Sequence, residues 1–522
     1  MFRRHVLAFA LAALSATSAS GQGVPPALLT RAERTEFRET SSYAEVMALA
    51  QLLAAARADD VHLTTMGVTN EGRELPLLVV GAPDFTIQAV MGTGKTRVYL
   101  QANIHAGEVE GKEVLLMLVR DYLAGLNRRW TDDLVLLVQP IYNADGNERV
   151  ALDNRPLQHG PIGGMGQRPN AQGLDLNRDH MKLDSPEARA FTAMMSAYDP
   201  HVVVDLHTTN GTDHAYHLTY ATPLHPNTPP AIDAFLRERW IPEVTRRIEA
   251  RNGWKFYYYG NLSGDPQGWY TFDHRPRFNN NYVGLRNRFA ILSEAYAYLT
   301  FEERVRVTRQ FVEEVLDFAA ANATEIREVV AAADAESVPG RELAVRAGFR
   351  RSAEPVAILL GAVEEEPHPV TGLPMHRRLE VETPTPMYEF GAFDATETAV
   401  APSAYYLPEM SFEVLERLVQ HGVRLERTGD ARQMALERFR IDSTSVSQRP
   451  FQGRTERTVW GAWVVATETL PAGTTVVPLN QPLARLAFTL LEPRSDDGLA
   501  DWGFFDAEVE SGEYPVLRAL AR

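Results

Sequence analysis

Short, continuous apolar runs alternate with amphipathic segments over the first two thirds of the chain. Four of these runs lie at 98–104, 134–138, 201–206 and 288–293. Their shortness and their content of Val, Ile and Leu predict strands that are buried on both faces. The segments between them, such as 109–126, have helical periodicity. Strands that alternate with helices predict an α/β fold, a sheet flanked by helices.

The pattern changes near Val338-Pro339-Gly340. Beyond this point short strand-like runs are separated by Pro and Gly, with one predicted helix at 411–421. The runs lie at 356–360, 459–467 and 474–478. We therefore expect an α/β domain at 22–336 and a smaller, mainly β domain at 337–522, whose role as a cap, binding module or folding aid stays open.

Two acidic clusters of this second part, Glu364-Glu365-Glu366 and Asp496-Asp497, are expected to lie on the solvated surface.

The N-terminus has the pattern of an export signal. Arg3 and Arg4 precede an apolar run at 6–14 and then small residues at 15–21. This order predicts a signal peptide at 1–21 and a periplasmic or secreted protein. The chain shows no later uncharged apolar run long enough for a membrane span.

Composition excludes several classes of function. The net charge of −16 argues against nucleic acid as a partner. The chain has no cysteine, which excludes disulfides, thiolate metal ligands and thiol catalysis.

Candidate metal ligands follow two of the predicted strands. His105 and Glu108 stand three residues apart, where the strand at 98–104 gives way to a helix, and a tight turn can bring both towards one ion. His207 comes at the end of the apolar run His-Val-Val-Val-Asp-Leu, and the carboxyl edge of an open α/β sheet is where sites form. Zinc takes such nitrogen and oxygen donors, and a catalytic zinc needs three protein ligands. Asp205 could support a ligand or be an ordinary strand-end carboxylate.

Two further motifs carry chemistry. Asn177-Arg178 offers an amide and a planar guanidinium, which matches a carboxylate. Glu294 ends the strand run at 288–293, and a Glu beside an activated water acts as a general base.

In this order, the motifs His105-x-x-Glu108, Asn177-Arg178, His207 and Glu294 resemble the zinc carboxypeptidase family typified by pancreatic carboxypeptidase A. Glu71-Gly72-Arg73 and Asn143-Ala144-Asp145-Gly146 fit the same pattern. The resemblance extends over about 43–320. It implies a mixed central sheet and an enzyme that removes C-terminal residues from peptides with a free C-terminus.

Carried over position by position, the resemblance implies roles for single residues. His105, Glu108 and His207 would bind one zinc ion per chain, and Glu294 would be the general base. Asn177 and Arg178 would hold the terminal carboxylate of the substrate.

The family also uses an arginine at the oxyanion and a tyrosine that closes over the substrate. Arg168 is the candidate arginine, with Arg155 as a rival. Tyr270 is the candidate tyrosine, with Tyr282 as a competitor.

Two alternative functions stay open. The run Asp205-Leu206-His207-Thr208-Thr209 also resembles the related zinc deacylases, such as aspartoacylase and succinylglutamate desuccinylase, which cleave an N-acyl amino acid. The distance from His207 to Glu294 and the export signal favour peptide cleavage. A non-catalytic binding member of the fold is disfavoured, because the ligands and the base are all present.

The stretch 275–288 is expected to border the pocket for the terminal side chain and contains four arginines: Arg275, Arg277, Arg286 and Arg288. A cationic pocket would prefer an acidic terminal residue. Pairing of these arginines with Asp and Glu on the surface is the favoured interpretation.

Overall fold

The structure is a computed structural model that describes residues 24–519, so the predicted signal peptide lies outside the described residues. The strands of the first part are β1 (Val61–Val68), β2 (Glu74–Val80), β3 (Thr96–Ala102), β4 (Leu134–Gln139), β5 (Val202–Thr208), β6 (Leu218–Ala221), β7 (Phe256–Tyr258), β8 (Asn261–Ser263), β9 (Gly268–Tyr270) and β10 (Phe289–Ala295). The four predicted apolar runs correspond to β3, β4, β5 and β10.

Eight of these described strands form one central sheet in the order β1-β2-β4-β3-β5-β10-β6-β7. The middle strands β4, β3, β5 and β10 run parallel to one another. β1 pairs antiparallel with β2, β2 with β4 and β6 with β10, whereas β7 runs parallel to β6, so the sheet is mixed. The parallel centre places the carboxyl ends of β3, β5 and β10 at one edge, where open α/β sheets hold their sites.

Alternating residues of the middle strands enter two different cores. Val98 and Leu100 of β3 pack into one core, whereas Tyr99 packs into the other. This alternation follows from the two-residue period of a strand. It explains why these strands are apolar on both sides, since each face is covered.

Helices supply the cover. The helical segments of the first part are Pro26–Leu28 and Leu176–Arg178 (both 3-10 turns), Arg31–Arg34, Tyr43–Ala56, Ile87–Gly92, Glu110–Leu123, Trp130–Asp133, Ala144–Asn147, Pro186–Tyr198, Pro230–Ala234, Phe235–Trp240 (a π-helical turn), Ile241–Asn252, Asn279–Leu285, Phe301–Ala321 and Ala323–Ala335. In the part of the chain that the structure describes, no helix combines the length and the apolar character that a membrane crossing requires.

The C-terminal part is rich in β structure, as predicted. Its strands are β11 (Glu342–Arg350), β12 (Val356–Leu360), β13 (Val363–Pro367), β14 (Pro374–Arg378), β15 (Thr383–Met387), β16 (Glu389–Phe390), β17 (Ala392–Val400), β18 (Ala404–Leu407), β19 (Glu426–Arg427), β20 (Arg432–Val446), β21 (Arg457–Leu470), β22 (Thr475–Pro478) and β23 (Glu513–Ala519). Six of these described strands form one sheet in the order β19-β22-β18-β23-β20-β21.

Within residues 337–519 the chain forms three helices, Phe412–Gln420, Ala484–Leu491 and Asp506–Glu510, where the sequence predicted one. Ala484–Leu491 is buried along its whole length.

The two parts of the chain share a hydrophobic core. Tyr99 and Val203 of the central sheet belong to the same buried cluster as Tyr405 and Phe488 of the C-terminal part. β16 also pairs with β9, across the predicted domain boundary. The C-terminal part therefore packs directly on one face of the central sheet.

One expectation for the surface is wrong. Asp497 is fully buried, where it accepts hydrogen bonds from the backbone N–H and the Nε–H of Arg277 at 2.6 and 2.8 Å. Its neighbour Asp496 binds His274 at 3.0 Å. These acids lie between the two parts of the chain because buried basic partners compensate their charge.

Candidate metal centre and active site

The loop after β3 brings His105 and Glu108 together. The Glu108 backbone N–H donates to the His105 carbonyl at 2.9 Å, which closes a tight turn, and His105 Nδ1 lies 3.0 Å from Glu108 Oε1. Gly107 lies in the middle of this turn. A Cβ at that position would meet the carbonyl oxygen of Gly166 at 2.7 Å, so only glycine allows the later loop to pack here.

His207 completes the group from β5, the neighbouring strand. Its Nδ1 atom lies 2.9 Å from Glu108 Oε2 and 3.3 Å from His105 Nδ1. The ligand atoms of the three residues all lie within 4.8 Å of one another, and all three side chains are buried. The structure thus brings together the three residues that the sequence singled out as metal ligands.

Two carboxylates hold the imidazole rings of His105 and His207 through the ring nitrogens that do not face Glu108. His105 Nε2 lies 3.1 Å from Asp175 Oδ1, and His207 Nε2 lies 2.9 Å from Asp205 Oδ2. A ligating histidine usually donates its other ring N–H to such a group, which fixes its tautomer. The sequence left Asp205 open between this arrangement and an ordinary carboxylate, and it did not single out Asp175.

The donor set fits zinc. With each Nε2–H donating to a carboxylate, both Nδ1 atoms present lone pairs to the same small space as Glu108, and three such donors require a cation. Burial lowers the pKa of His207, but Asp205 and Glu108 outweigh burial and hold this pKa well above its usual range. The surroundings therefore favour positive charge at this point.

Two arginines stand beside the ligands. Arg155 forms an ion pair with Glu108, and Arg168 donates from Nε to Asp175 Oδ2 at 3.0 Å. Both come from the Gly- and Pro-rich segment 155–172. This segment packs against the turn between His105 and Glu108, and Met165 and Asn170 are buried within it.

Glu294 lies opposite His207 in the pairing of β10 with β5. Burial raises the pKa of its carboxyl group to about 8, although His207 opposes this rise. A carboxyl group with a pKa near neutral can both accept and donate a proton at physiological pH.

Asn177 and Arg178 occupy the 3-10 turn Leu176–Arg178, which Asp175 caps by accepting from the Asn177 N–H at 2.9 Å. The Asn177 side-chain oxygen accepts from the Asn279 N–H at 2.8 Å. The Arg178 guanidinium lies over the Phe278 ring, 3.9 Å from its centroid. Both side chains are thereby held in place beside the ligands.

A cavity of about 210 Å³ joins these groups. It is lined by His105, Glu108, Arg155, Arg168, Asn177, Arg178, His207, Thr208, Asn210, Tyr259, Phe272, Phe278, Leu292 and Glu294. The metal-ligand group, the predicted base and the predicted anchors thus share one space. The lining also includes the aromatic and apolar side chains of Tyr259, Phe272, Phe278 and Leu292.

The structure does not bring Tyr270 or Tyr282 into this cavity. Tyr270 stacks on Phe390 of β16, with 4.0 Å between ring centroids, and so joins the two parts of the chain. Tyr282 is fully buried, and its hydroxyl lies 2.8 Å from His421 Nδ1. The tyrosine that lines the cavity is Tyr259, in an irregular turn between two short strands, where no periodic pattern marks it.

The four arginines of 275–288 do not line the cavity either. Arg277 pairs with Asp497 and Arg288 with Asp199, as the favoured interpretation expected, although both are buried rather than on the surface. Arg275 pairs with Asp273 at 3.2 Å, and Arg286 donates to the His421 carbonyl at 2.7 Å. These residues therefore form no cationic pocket.

Comparison with known proteins assigns the family. Residues 46–295 match the family model described as zinc carboxypeptidase. This part of the chain belongs to the zinc carboxypeptidase family. The protein is accordingly a hydrolase of the metallocarboxypeptidase class, as its sequence motifs predicted.

Two curated proteins are similar to this metallocarboxypeptidase over different lengths, and for the first the similarity extends beyond residues 46–295. "Carboxypeptidase 2" of Trichophyton tonsurans is 24% identical over 471 residues, which cover 86% of this chain and 81% of the relative. "Carboxypeptidase Z" of Homo sapiens is 28% identical over 200 residues, which cover 37% of this chain and 28% of the relative.

Among solved structures, the carboxypeptidase A from Helicoverpa armigera is similar at 16% identity, with a TM-score of 0.43 over 62% of this chain and 81% of that chain. A metallo-carboxypeptidase from Burkholderia cenocepacia is similar at 16% identity, with a TM-score of 0.39 over 54% of this chain and 68% of that chain.

Proposed function

We propose that this protein is a zinc-dependent carboxypeptidase that removes single residues from the free C-terminus of peptides. One observation supports it above all. His105, Glu108 and His207 converge at one wall of a cavity that Arg178 and Glu294 also line. Hydrolysis of a terminal peptide bond requires metal ligands, a group that binds the terminal carboxylate of the substrate, and a general base, all within one cavity.

We infer that His105, Glu108 and His207 hold one zinc ion, with Asp175 and Asp205 orienting the two imidazoles. When bound, zinc supplies a Lewis acid that polarises the scissile carbonyl and lowers the pKa of a water molecule.

Glu294 is the proposed general base. Its carboxylate would accept the proton of the attacking water and pass it to the leaving amine. Its place opposite His207 in the sheet supports this role, because the carboxyl group then faces the metal ligands. The raised pKa, about 8, matches a group that must both take and return a proton near neutral pH.

Asn177 and Arg178 are the proposed anchor for the terminal carboxylate. A guanidinium binds a carboxylate through two parallel hydrogen bonds, and the stacking of Arg178 on Phe278 fixes the plane of its guanidinium. Arg168 remains the proposed arginine at the oxyanion. It lines the same cavity and is held by Asp175, whereas the rival Arg155 is engaged with Glu108.

The pocket for the terminal side chain is proposed to prefer an apolar residue. Tyr259, Phe272, Phe278 and Leu292 line the cavity, and the four arginines that could have made it cationic are paired elsewhere. An apolar wall binds an apolar side chain by removing surface from water, but it leaves a second carboxylate unpaired.

We further propose that the catalytic unit ends near residue 336 and that the protein is exported. The change of pattern near Val338 supports the boundary, and the Arg3-Arg4 pair before an apolar run supports export.

A mixed peptide library tests the proposed function. Each peptide is supplied with a free and with an amidated C-terminus, and N-acyl amino acids are included for the deacylase alternative. We expect single residues to be released from free ends only, apolar residues fastest, and chelator-treated enzyme to release none. Release of acyl groups, or cleavage within the amidated peptides, would overturn the proposal.

A further inference from the structure

The C-terminal part touches the active site through the tip of a hairpin. β20 and β21 continue into a tight turn, in which Phe451 and Arg454 exchange two backbone hydrogen bonds of 2.7 and 3.1 Å. Gln452 and Gly453 form the turn between them. The Gln452 side-chain oxygen accepts from the Asp175 backbone N–H at 2.7 Å.

Gln452 has an unfavourable backbone conformation. Its φ of 51° and the φ of 82° at Gly453 are the two positive values that a two-residue hairpin turn of this type requires. Such a turn usually has Asn, Asp or Gly at its first position, because a longer side chain in the left-handed region costs about 1–2 kcal/mol. A residue kept under such strain points to a use for its side chain.

The hairpin tip is firmly attached to the catalytic part. Arg454 binds Asp184 through two hydrogen bonds of 2.8 Å each, and the Arg277 guanidinium lies over the Phe451 ring, 5.4 Å from its centroid. These contacts hold the backbone of the turn in place, so that the Gln452 side chain stays within hydrogen-bond distance of Asp175.

The residue that Gln452 holds connects the metal ligands to the substrate anchor. The Asp175 carboxylate accepts from His105 Nε2 at 3.1 Å and from the Asn177 N–H at 2.9 Å. The bond to Gln452 fixes the peptide group that carries this carboxylate. Without it, Asp175 would keep its partners but would lose the constraint on its own backbone.

We propose that Gln452 is a positioning residue of the active site, acting through Asp175 on His105 and on the Asn177-Arg178 anchor. The inference rests on the proposed function, and it gives the C-terminal part a role in catalysis. A partner of a ligating histidine is typically worth 10–100-fold in metal affinity or activity. Gln452 contacts Asp175 and not the histidine itself, so we expect a smaller effect of about three- to tenfold on metal affinity and activity.

Two substitutions separate positioning from folding. Gln452→Gly removes the side chain and relieves the strained φ, so the thermal midpoint should stay level or rise. Gln452→Asn suits the turn but is one methylene too short to reach Asp175. Glu36→Gly is the matched control, since exposed Glu36 has a comparable φ of 53° and lies in the N-terminal segment.

Zinc affinity by chelator competition, kcat and KM are measured on the full chain of each variant. We expect both Gln452 variants to bind zinc about three- to tenfold more weakly and to lose kcat/KM by a similar factor, without loss of thermal stability, and Glu36→Gly to match the wild type. Wild-type zinc affinity and kcat/KM in both Gln452 variants would overturn the inference and leave the proposed function intact. If the wild type itself neither binds zinc nor releases terminal residues, the proposed function falls instead.

Discussion

Glu187 makes the stability of this protein sensitive to pH. The residue lies in the first turn of the helix Pro186–Tyr198 and is fully buried. Asn170 donates to its Oε2 at 3.2 Å, whereas its Oε1 has no partner within residues 24–519. Burial accordingly raises the pKa of Glu187 from 4.5 to about 7.

The direction of the effect follows from the two pKa values. In the unfolded chain Glu187 loses its proton near pH 4.5, but in the folded chain it keeps the proton up to about pH 7. Its contribution to stability is therefore fully present below pH 4.5 and is lost as the pH rises to about 7. This pKa difference corresponds to roughly 3 kcal/mol of the free energy of unfolding.

Glu187→Gln tests this reasoning, because the amide has nearly the same volume and cannot ionise. Urea unfolding of both proteins at about pH 5 and about pH 8 gives the difference in the free energy of unfolding at each pH. We expect this difference to shift by roughly 2–3 kcal/mol in favour of the variant at the higher pH, because a small part of the effect is already present at pH 5. Glu36→Gln, at an exposed site, should show no such change. A difference that is the same at both pH values would refute the assignment of a protonated, buried Glu187.

Three further predictions concern the active site. Glu294→Gln should retain zinc and lose turnover by at least about a hundredfold, since it removes the proton acceptor; near-normal turnover in single-turnover assays would exclude it as the base. Arg178→Lys should raise KM for free-ended peptides about tenfold, because an ammonium cannot replace the two-bond fork; an unchanged preference for free over amidated ends contradicts the anchor. Asp205→Asn should weaken zinc binding about 10–100-fold by chelator competition, and wild-type affinity would show that Asp205 does not orient His207.

Much of the fold could be predicted because its central strands are covered on both faces. This cover requires the continuous apolar runs that the sequence shows at β3, β4, β5 and β10. The convergence of His105, Glu108 and His207 could be predicted too, since His105 follows β3, His207 lies near the end of β5, and the carboxyl ends of these strands meet at one edge of the sheet. In both cases a short stretch of sequence is enough to place the strand, or the residue near its end, in the central sheet.

Other features depend on contacts between distant segments, which no local pattern reveals. Asp497 is buried because Arg277, 220 residues earlier, neutralises it. Tyr259 rather than Tyr270 reaches the cavity because β16 of the C-terminal part takes up the ring of Tyr270. Gln452 reaches Asp175 across 277 residues of chain. In each case the sequence shows the residue but not the partner.

The central claim is that His105, Glu108 and His207 hold a catalytic zinc ion. The most direct test is the metal content of the purified wild type and of His207→Ala, measured together with release of terminal residues. The account predicts about one zinc per chain in the wild type, as a three-ligand catalytic site requires, and loss of both zinc and activity in the variant. Full zinc content and activity in His207→Ala, or terminal release by a wild type free of metal, would contradict it.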